Sequence, residues 1–497
     1  MTDQSAPPTT VADPTTIVPD APTALSARDR LAVALLLVST FVVILNETIM
    51  GVALPRLMDD LAITASTAQW LTTAFLLTMA VVIPVTGFFL QRTTTRAAFL
   101  TAMGLFSLGT LVCALSPGFE MLLAGRVVQA MGTAVMLPLL MTTVMTVTPP
   151  ASRGRTMGNI SIVISVAPAL GPTISGLILS VLDWRWMFGL VLPVALGALA
   201  LGAARLPNVT EPRWARVDVP SVLLSAVAFG GLVLGMSRIG EVVQGGVQPV
   251  TVGALVGGAA ALTLFVARQL LLQRTDDALL DLRTFRSRTF AVGVGLMAVM
   301  MMSLFGVIIM LPIYAQDVLG ADTLRTGLML LPGGLLMGLL APLVGRAYDR
   351  VGPRPLLVPG TVLVSVSAWG MALLLGVGSP QWLLVAGHVT MSAGLALVFT
   401  PLFTSALGSL PPHRYSHGSA VIGTVQQVAG AAGTALFITV LSATMAGLAA
   451  DGASSAAATA GGVRAAFLVG AVLTLPAIAA AFAVRPAPTG AVVPAGH

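Results

Sequence analysis

Two charged side chains stand inside long apolar runs of this sequence. Glu47 lies in LNETIMGVALP, which closes an apolar run that begins at Leu31, and Arg126 lies in LAGRVVQAMGTAVMLP. A charge in hydrocarbon costs about 2.5–3.5 kcal/mol on insertion scales, so it usually has a partner or a function. At 1.5 Å per residue, Glu47 is about 24 Å from one surface of a hydrocarbon core that is about 30 Å thick. Arg126 is about 9 Å from the opposite surface. The two charges therefore share a depth.

This pair has the chemistry of a proton site. A movable contact between Arg126 and Glu47 would let the carboxyl group bind a proton in one arrangement and release it in another. The alternative is a buried ion pair that only fixes helix packing.

Six other polar side chains are expected to line a central cavity, because amides that face lipid are costly. They are Asn46, Gln129, Tyr314, Gln316, Gln426 and Gln427. His388 could titrate, but it could equally form a hydrogen bond between helices. The sequence has no Walker loop, no HExxH and no Cys/His metal spacing, and its single cysteine implies no disulfide. We therefore expect no enzyme, no metal and no cofactor.

The composition is that of a polytopic membrane protein. Of 497 residues, 56% are hydrophobic and only 9% are charged. Apolar runs of about twenty residues predict about fourteen transmembrane helices. They are near 31–54, 68–90, 97–116, 120–146, 157–182, 185–205, 219–239, 249–272, 288–314, 323–345, 355–377, 381–409, 417–445 and 462–484.

The arginines predict the orientation. All 25 basic residues are arginine, and they are scattered between the apolar runs as loop charges are, so we do not expect nucleic-acid binding. On one side of the predicted membrane there are 19, and on the other there are 5. The positive-inside rule places the arginine-rich side and both termini in the cytoplasm.

Two short basic loops indicate an internal repeat. GFFLQRTTTR follows the second run and GRAYDRVGPR follows the tenth, with matched Gly and Arg spacing. The predicted fold is all-α, with two six-helix halves and two inserted central helices. The predicted divisions are a disordered tail 1–27, a first half 28–205, the inserted pair and a loop 206–287, a second half 288–485 and a tail 486–497. The residues of interest in these two loops are Gly87, Arg92, Arg96, Gly345, Asp349, Arg350, Gly352 and Arg354.

The fifth run, in APALGPTISG, carries two stripes of small residues at helical spacing. One consists of Ala167, Gly171 and Ser175, and the other of Pro168, Pro172 and Gly176. Such stripes allow close helix approach, and the prolines remove backbone donors. Tight packing alone is the interpretation that these residues give by themselves.

Together these motifs resemble those of the major facilitator superfamily, in its fourteen-span drug:proton antiporter branch, over nearly everything from Arg30 to Arg485. The first loop resembles the gating motif Gly-x-Leu-Ala-Asp-Arg-x-Gly-Arg, the Arg126 segment the Arg-x-x-Gln-Gly motif, and APALGPTISG the Gly-Pro-x-x-Gly-Gly antiporter motif. The sequence departs from the family at Asn46, where the usual acid is displaced to Glu47, and at Gln91 and Thr94 in the first loop. These substitutions are similar to those of lincomycin-resistance-type exporters.

The resemblance implies export of hydrophobic or cationic drugs across the cytoplasmic membrane in exchange for protons, with no cofactor. It gives Glu47 and Arg126 the proton-coupling role, and it makes the named residues of the two basic loops the cytoplasmic gate. It also makes span 5 a hinge and a seal against proton leak between the two halves. The expected partners are drug-like small molecules, protons and the lipid membrane. Two alternatives stay open: an uptake symporter for a small solute, and a membrane receptor or scaffold that transports nothing.

Overall fold

The computed structural model describes residues 25–210, 212, 218–239, 246 and 248–484. In this part of the chain, fourteen helical segments are long and apolar enough to cross a membrane, and the sixth, Trp186–Arg205, includes a short helix before its main helix. They are α1 Ala27–Leu61, α2 Ala65–Arg92, α3 Thr95–Ala114, α4 Phe119–Val147, α5 Arg153–Val181, α6 Val191–Arg205, α7 Val219–Ser237, α8 Pro249–Leu272, α9 Arg288–Ile313, α10 Thr323–Val351, α11 Arg354–Leu374, α12 Gln381–Gly408, α13 Tyr415–Ala450 and α14 Ser455–Ala481.

All fourteen predicted spans are therefore confirmed, and the described residues form no strand. The ends differ from the prediction where polar caps, and not hydropathy, set the boundary. The α1 helix starts at Ala27 because the Ser26 side chain accepts a hydrogen bond from the Asp29 amide, and α14 starts early because Ser454 caps it in the same way. The predicted tails lie outside the described residues, apart from residues 25–27.

The sixth predicted span is divided in two. A short helix, Trp186–Gly189, precedes α6, and the two are separated at Leu190. Trp184, which is fully buried, packs edge-on against Phe188, with 6.5 Å between ring centroids. This aromatic contact holds the entry to α6 against the first half.

The helices pack as two similar halves. In the first half α3 and α2 pack on α4 and α1 packs on α5, while in the second half α11 and α10 pack on α12 and α9 packs on α13. Contacts between the halves run along α5 with α10 and along α2 with α13. The inserted helices α7 and α8 pack on each other, and α7 also lies against α2 and α13. This is the predicted architecture of two halves and an inserted pair.

Close helix contacts reproduce the repeat that the loops predict. A Cβ on Gly132 of α4 would lie 2.3 Å from the Ala102 carbonyl oxygen, and one on Gly394 of α12 would lie 2.8 Å from the Gly360 carbonyl oxygen and from the Val364 amide nitrogen. Gly360 lies as far beyond Ala102 as Gly345 lies beyond Gly87. The α3–α4 and α11–α12 contacts are therefore the same contact in the two halves.

Because fourteen helices alternate in direction, the start of α1 and the end of α14 lie on one side of the bundle. We call this the termini side. The loop from α2 to α3, the loop from α10 to α11, and the starts of α5 and α13 also lie there.

Candidate functional site

Arg126 of α4 lies in the core of the first half, with a relative exposure of 1%. Its Nη1 donates to Gln129 Oε1 at 2.7 Å and, at 3.5 Å, to Asn46 Oδ1 of α1. The guanidinium carbon is 4.0 Å from the ring centroid of Phe75 on α2, which is a cation–π contact. The cation thus joins three helices through neutral groups.

Gln129 extends this network to α3. Its Nε2 donates to Thr110 Oγ1 at 2.8 Å, and that hydroxyl donates to the Phe106 carbonyl at 2.7 Å. Both Gln129 and Thr110 are fully buried. Gln129 therefore orients Arg126, and its amide is engaged on both sides.

Glu47 is partly buried and lies one position beyond Asn46 on α1. Its charge interacts electrostatically with that of Arg126, but no ion pair between described residues joins the two groups. In this state Asn46, which is fully buried, meets the guanidinium in place of the acid. Within the described chain, Arg126 Nε and Asn46 Nδ2 have no hydrogen-bond partner. A direct Glu47–Arg126 contact in another state stays a prediction.

One stripe of α5 supports the turn of α1 that carries Glu47. A Cβ on Gly171 would lie 2.2 Å from Thr48 Oγ1, and Ser175 Oγ donates to the Ile49 carbonyl at 3.0 Å. Ala167 in the same stripe is fully buried. The other stripe is more open, since Pro168 is partly buried and Gly176 is exposed; the side chain of Pro172 lies outside what the structure describes.

The cavity candidates of the second half separate into two groups. Gln426 and Gln427 of α13 are partly buried, and Gln427 Nε2 lies 3.9 Å from Met79 Sδ on α2, one turn beyond Phe75. Tyr314 is fully buried, and its hydroxyl donates to the Gly376 carbonyl at 2.7 Å. Gln316 is exposed in the short π-helical turn that follows α9. Of these four residues, Gln427 is the one with a described contact beside the Arg126 network.

On the termini side, Asp349 of α10 caps α5 of the other half. Its carboxylate accepts hydrogen bonds from the backbone amides of Gly154, at 2.7 Å, and Arg155, at 2.8 Å. A carboxylate at a helix N-terminus satisfies free N–H groups and complements the helix dipole. A Cβ on Gly345 would lie 2.3 Å from the Gly154 carbonyl oxygen, so glycine permits this approach of α10 to α5.

The rest of this loop supports α10 and α11. Gly352 ends α10 with φ +75°, and its amide donates to the Tyr348 carbonyl at 2.9 Å. Arg354 Nε donates to the Val484 carbonyl at 3.1 Å, while Arg350 is exposed. Of the acids and arginines predicted for the gate in this loop, only Asp349 crosses to the other half.

The first loop closes against α13 without an acid. A Cβ on Gly87 would lie 3.2 Å from the Ser416 carbonyl oxygen, and Gln91 Nε2 donates to the His413 carbonyl at 3.1 Å. Arg92 lies 5.7 Å from the Phe88 ring centroid. Arg96 stays within its half, where its backbone amide donates to Asn208 Oδ1 at 3.1 Å and its guanidinium donates to the Ala203 carbonyl.

An acidic site that the sequence analysis missed lies next to this closure. Asp281, in the linker after α8, has a side-chain exposure of 5% and pairs with Arg283 at 2.9 Å and with Arg414, before α13, at 3.2 Å. Burial disfavours its ionisation, yet the hydrogen bonds from Arg283 hold the pKa of Asp281 below its usual value. The linker is thereby fixed to the start of α13.

The inserted helices are joined by a similar ion pair. Arg268 of α8 donates to both oxygens of Asp218, which caps α7, at 2.6 and 2.7 Å. These hydrogen bonds lower the pKa of Asp218 to about 2. Gln269 Nε2 also donates to Ser221 Oγ at 2.7 Å, so the pair behaves as one unit on the termini side.

Comparison with known proteins supports the interpretation of these motifs. A family model described as Major Facilitator Superfamily matches residues 36–434. The chain is 38% identical to the lincomycin resistance protein LmrB of Bacillus subtilis (strain 168) over 408 residues, 82% of this chain and 84% of that protein. It is 31% identical to the multidrug resistance protein B homolog of Mycobacterium tuberculosis (strain ATCC 25618 / H37Rv) over 428 residues, 84% of this chain and 78% of that protein.

The fold gives the same result. A crystal structure of the human organic anion transporter MFSD10 superposes with a TM-score of 0.66 at 17% identity, covering 92% of this chain and 100% of that one. At this identity the likeness shows the fold alone. With the family model matching most of the chain, it follows that the protein belongs to the Major Facilitator Superfamily, as its motifs predicted, and is a transporter and not an enzyme.

Proposed function

We propose that this transporter exports hydrophobic or cationic drug-like molecules across the cell membrane in exchange for protons, with both termini in the cytoplasm. The names of its relatives, which refer to lincomycin and multidrug resistance, support the substrate class. The arginine excess on the termini side supports the orientation. The proton gradient drives the exchange, so no cofactor is required.

The main observation behind the proposal is that the buried Arg126 can pair with more than one side chain. Its Nη1 is bonded to the neutral Asn46 and Gln129, and its Nε is unpartnered among the described residues, while Glu47 lies next on α1. Successive helical residues point about 100° apart, so a limited rotation of α1 exchanges Asn46 for Glu47. Glu47 would lose its proton when it meets Arg126 and bind one when Asn46 takes its place.

The contacts between the halves support alternating access. On the termini side, Asp349 caps α5, and Gln91 and Gly87 close on α13. A substrate from the cytoplasm could enter only after these contacts break. The protein in this state is therefore closed to the cytoplasm, and Glu47 would exchange its proton with the outside.

We expect the substrate cavity to form beside the Arg126 network and to accept a broad range of substrates. Beside the Arg126 network, α2 presents Phe75, Met79 and Ile83 towards α4 and α13, and methionine adapts well to differently shaped apolar ligands. Gln426 and Gln427 supply neutral hydrogen-bonding groups on the facing helix. Selection by shape and hydrophobicity fits such a wall better than recognition of a sugar.

Glu47→Gln tests the proposal, because glutamine keeps the side-chain volume but cannot release a proton. In proteoliposomes with an imposed pH gradient, wild-type protein should move a lipophilic cationic dye and a lincosamide, and Glu47→Gln should lose this coupled transport. The matched control is Glu120→Gln, the same change at an exposed acid in the first turn of α4. Coupled export by Glu47→Gln at the wild-type rate would refute the role of Glu47, and uptake in place of export would favour the symporter.

A further inference from the structure

His388 of α12 occupies the second-half position of Arg126. The segment Ala386–Val389 reads AGHV, and Ala124–Val127 of α4 reads AGRV; in both helices a glycine follows after the same interval, Gly394 and Gly132. Those two glycines make the equivalent close contacts with α11 and α3 described above. The alignment of α12 with α4 thus rests on sequence and on packing.

The residues that contact Arg126 and His388 from the adjacent helix also occupy equivalent positions in the repeat. Arg126 lies over Phe75 of α2, and His388 lies against Gly333 of α10. Gly333 is as far beyond Phe75 as Gly345 is beyond Gly87, so the two residues are equivalent in the repeat. A Cβ on Gly333 would lie 2.4 Å from His388 Nδ1 and 2.5 Å from Cε1. In the second half, the imidazole therefore occupies space next to a glycine where the first half has an aromatic ring.

The partners of the two basic groups differ. The positions of Gln129 and Thr110 are taken by Met391 and Ala368, which offer no amide or hydroxyl. His388 Nδ1 is shielded from solvent and has no hydrogen-bond partner among the described residues. A histidine that served only to join helices would be expected to donate or accept there. Ser392, one turn further along α12, borders the same space and offers an oxygen to a protonated imidazole.

No charged side chain faces His388 from the helices that pack against α12, among the residues described. On α10, Asp322 and Arg325 lie at the helix start, and Arg325 is bonded to Gln381 at 2.7 Å. The other charged or titratable groups of these helices lie at their termini-side ends, whereas His388 is near the opposite end of α12. They are Arg153 and Arg155 of α5, Arg288 of α9, Arg346, Tyr348, Asp349 and Arg350 of α10, Arg354 of α11, and Tyr415 and His417 of α13.

We propose that His388 is a second proton-binding group of the transport cycle, placed in the second half where the first half holds Arg126. Histidine is the side chain whose charge ordinarily changes between about pH 5 and 8. Burial without an acidic partner favours the neutral imidazole in the state described here, so protonation would accompany a state in which this space opens to water. It would then give this half the buried cation that the first half always has. The proposal rests on proton-coupled export as the function.

The first test is the pH profile of gradient-driven export for wild type, His388→Gln, His388→Arg and the matched control His497→Gln. Wild type and His497→Gln should share a limb on the acid side of the profile, where the imidazole binds its proton. Both His388 variants should lose that limb, because one is always neutral and the other always charged. A His388→Gln profile that superimposes on wild type, in a preparation where Glu47→Gln abolishes coupling, would overturn the proposal.

The second test does not depend on transport. In protein labelled with 13C at histidine Cε1 and held in lipid nanodiscs, the resonance that disappears in His388→Gln should shift with pH in wild type. In Gly333→Ala its midpoint should move, because the added methyl group displaces the imidazole. A resonance that stays constant from about pH 8 down to the lowest pH at which the protein stays folded would refute proton binding at His388. If wild type shows no gradient-driven export, coupled export fails, and this titration still decides whether His388 binds a proton.

Discussion

Replacing Asp349 with asparagine should shift the protein away from the state closed on the termini side. The carboxylate accepts two backbone hydrogen bonds at the start of α5, at 2.7 and 2.8 Å. A hydrogen bond to a charged group contributes about 1.5–3 kcal/mol, and the charge at a helix N-terminus about 0.3–1 kcal/mol. Asparagine keeps one acceptor oxygen, and the side chain is half-buried, so we expect a loss of about 2 kcal/mol. That is about a 30-fold change in the closed-to-open ratio.

Cysteine accessibility can measure this change. After the single native cysteine is removed as Cys113→Ala, Ser161→Cys places a thiol at the buried contact with Thr400, between α5 and α12. Labelling by a polar maleimide should be faster in Asp349→Asn by up to about 30-fold, and turnover should fall while the same drugs are bound. The matched control is Asp59→Asn, an exposed acid on the opposite side. Equal labelling rates and turnover in Asp349→Asn and wild type would refute the capping role.

Three other changes test the site and the fold. Arg126→Ala should move the pH optimum of transport upward, because Glu47 without the cation holds its proton to higher pH, and an unmoved profile would contradict their coupling. Gly171→Ala should destabilise the protein by about 1–3 kcal/mol, because its methyl group overlaps a hydroxyl of α1, whereas Gly176→Ala, in open space, should leave the unfolding temperature unchanged. Asp218→Asn should lower the unfolding temperature at pH 7; with a folded pKa of about 2 against the ordinary 3.8, the difference from wild type should be full above about pH 4 and vanish as the pH falls through about 2.

The spans could be predicted from sequence because each must hide about twenty residues of backbone in lipid, and only a long apolar helix does so. The depth of each residue in the membrane could also be predicted, because the rise per residue of an α-helix is constant. Azimuth could not. A turn of about 100° decides whether Asn46 or Glu47 meets Arg126, and the hydropathy of a helix surrounded by apolar neighbours does not reveal it.

Contacts between residues that are far apart in the sequence also could not be predicted. The loop sequence predicted a gate role for Asp349, but it did not predict that the start of α5, in the other half, supplies its hydrogen-bond donors. Phe75 had no signal beyond being an aromatic residue in an apolar run. Asp281 was missed because its sequence neighbourhood is an ordinary charged linker, and only the fold brings Arg414 to it.

Asp281 also changes how the departure at Gln91 is understood. The second loop closes on α5 with a carboxylate, whereas the first closes on α13 with a neutral amide that donates to the His413 carbonyl. The acid that the first loop lacks is present beside the same helix end, contributed by the linker that follows the inserted pair and paired with Arg414. Because α7 also packs on α2 and α13, any motion that separates these two helices must carry the inserted pair with it or break the Asp281–Arg414 ion pair. The inserted helices therefore belong to the closure of the first half and are more than a spacer between two repeats.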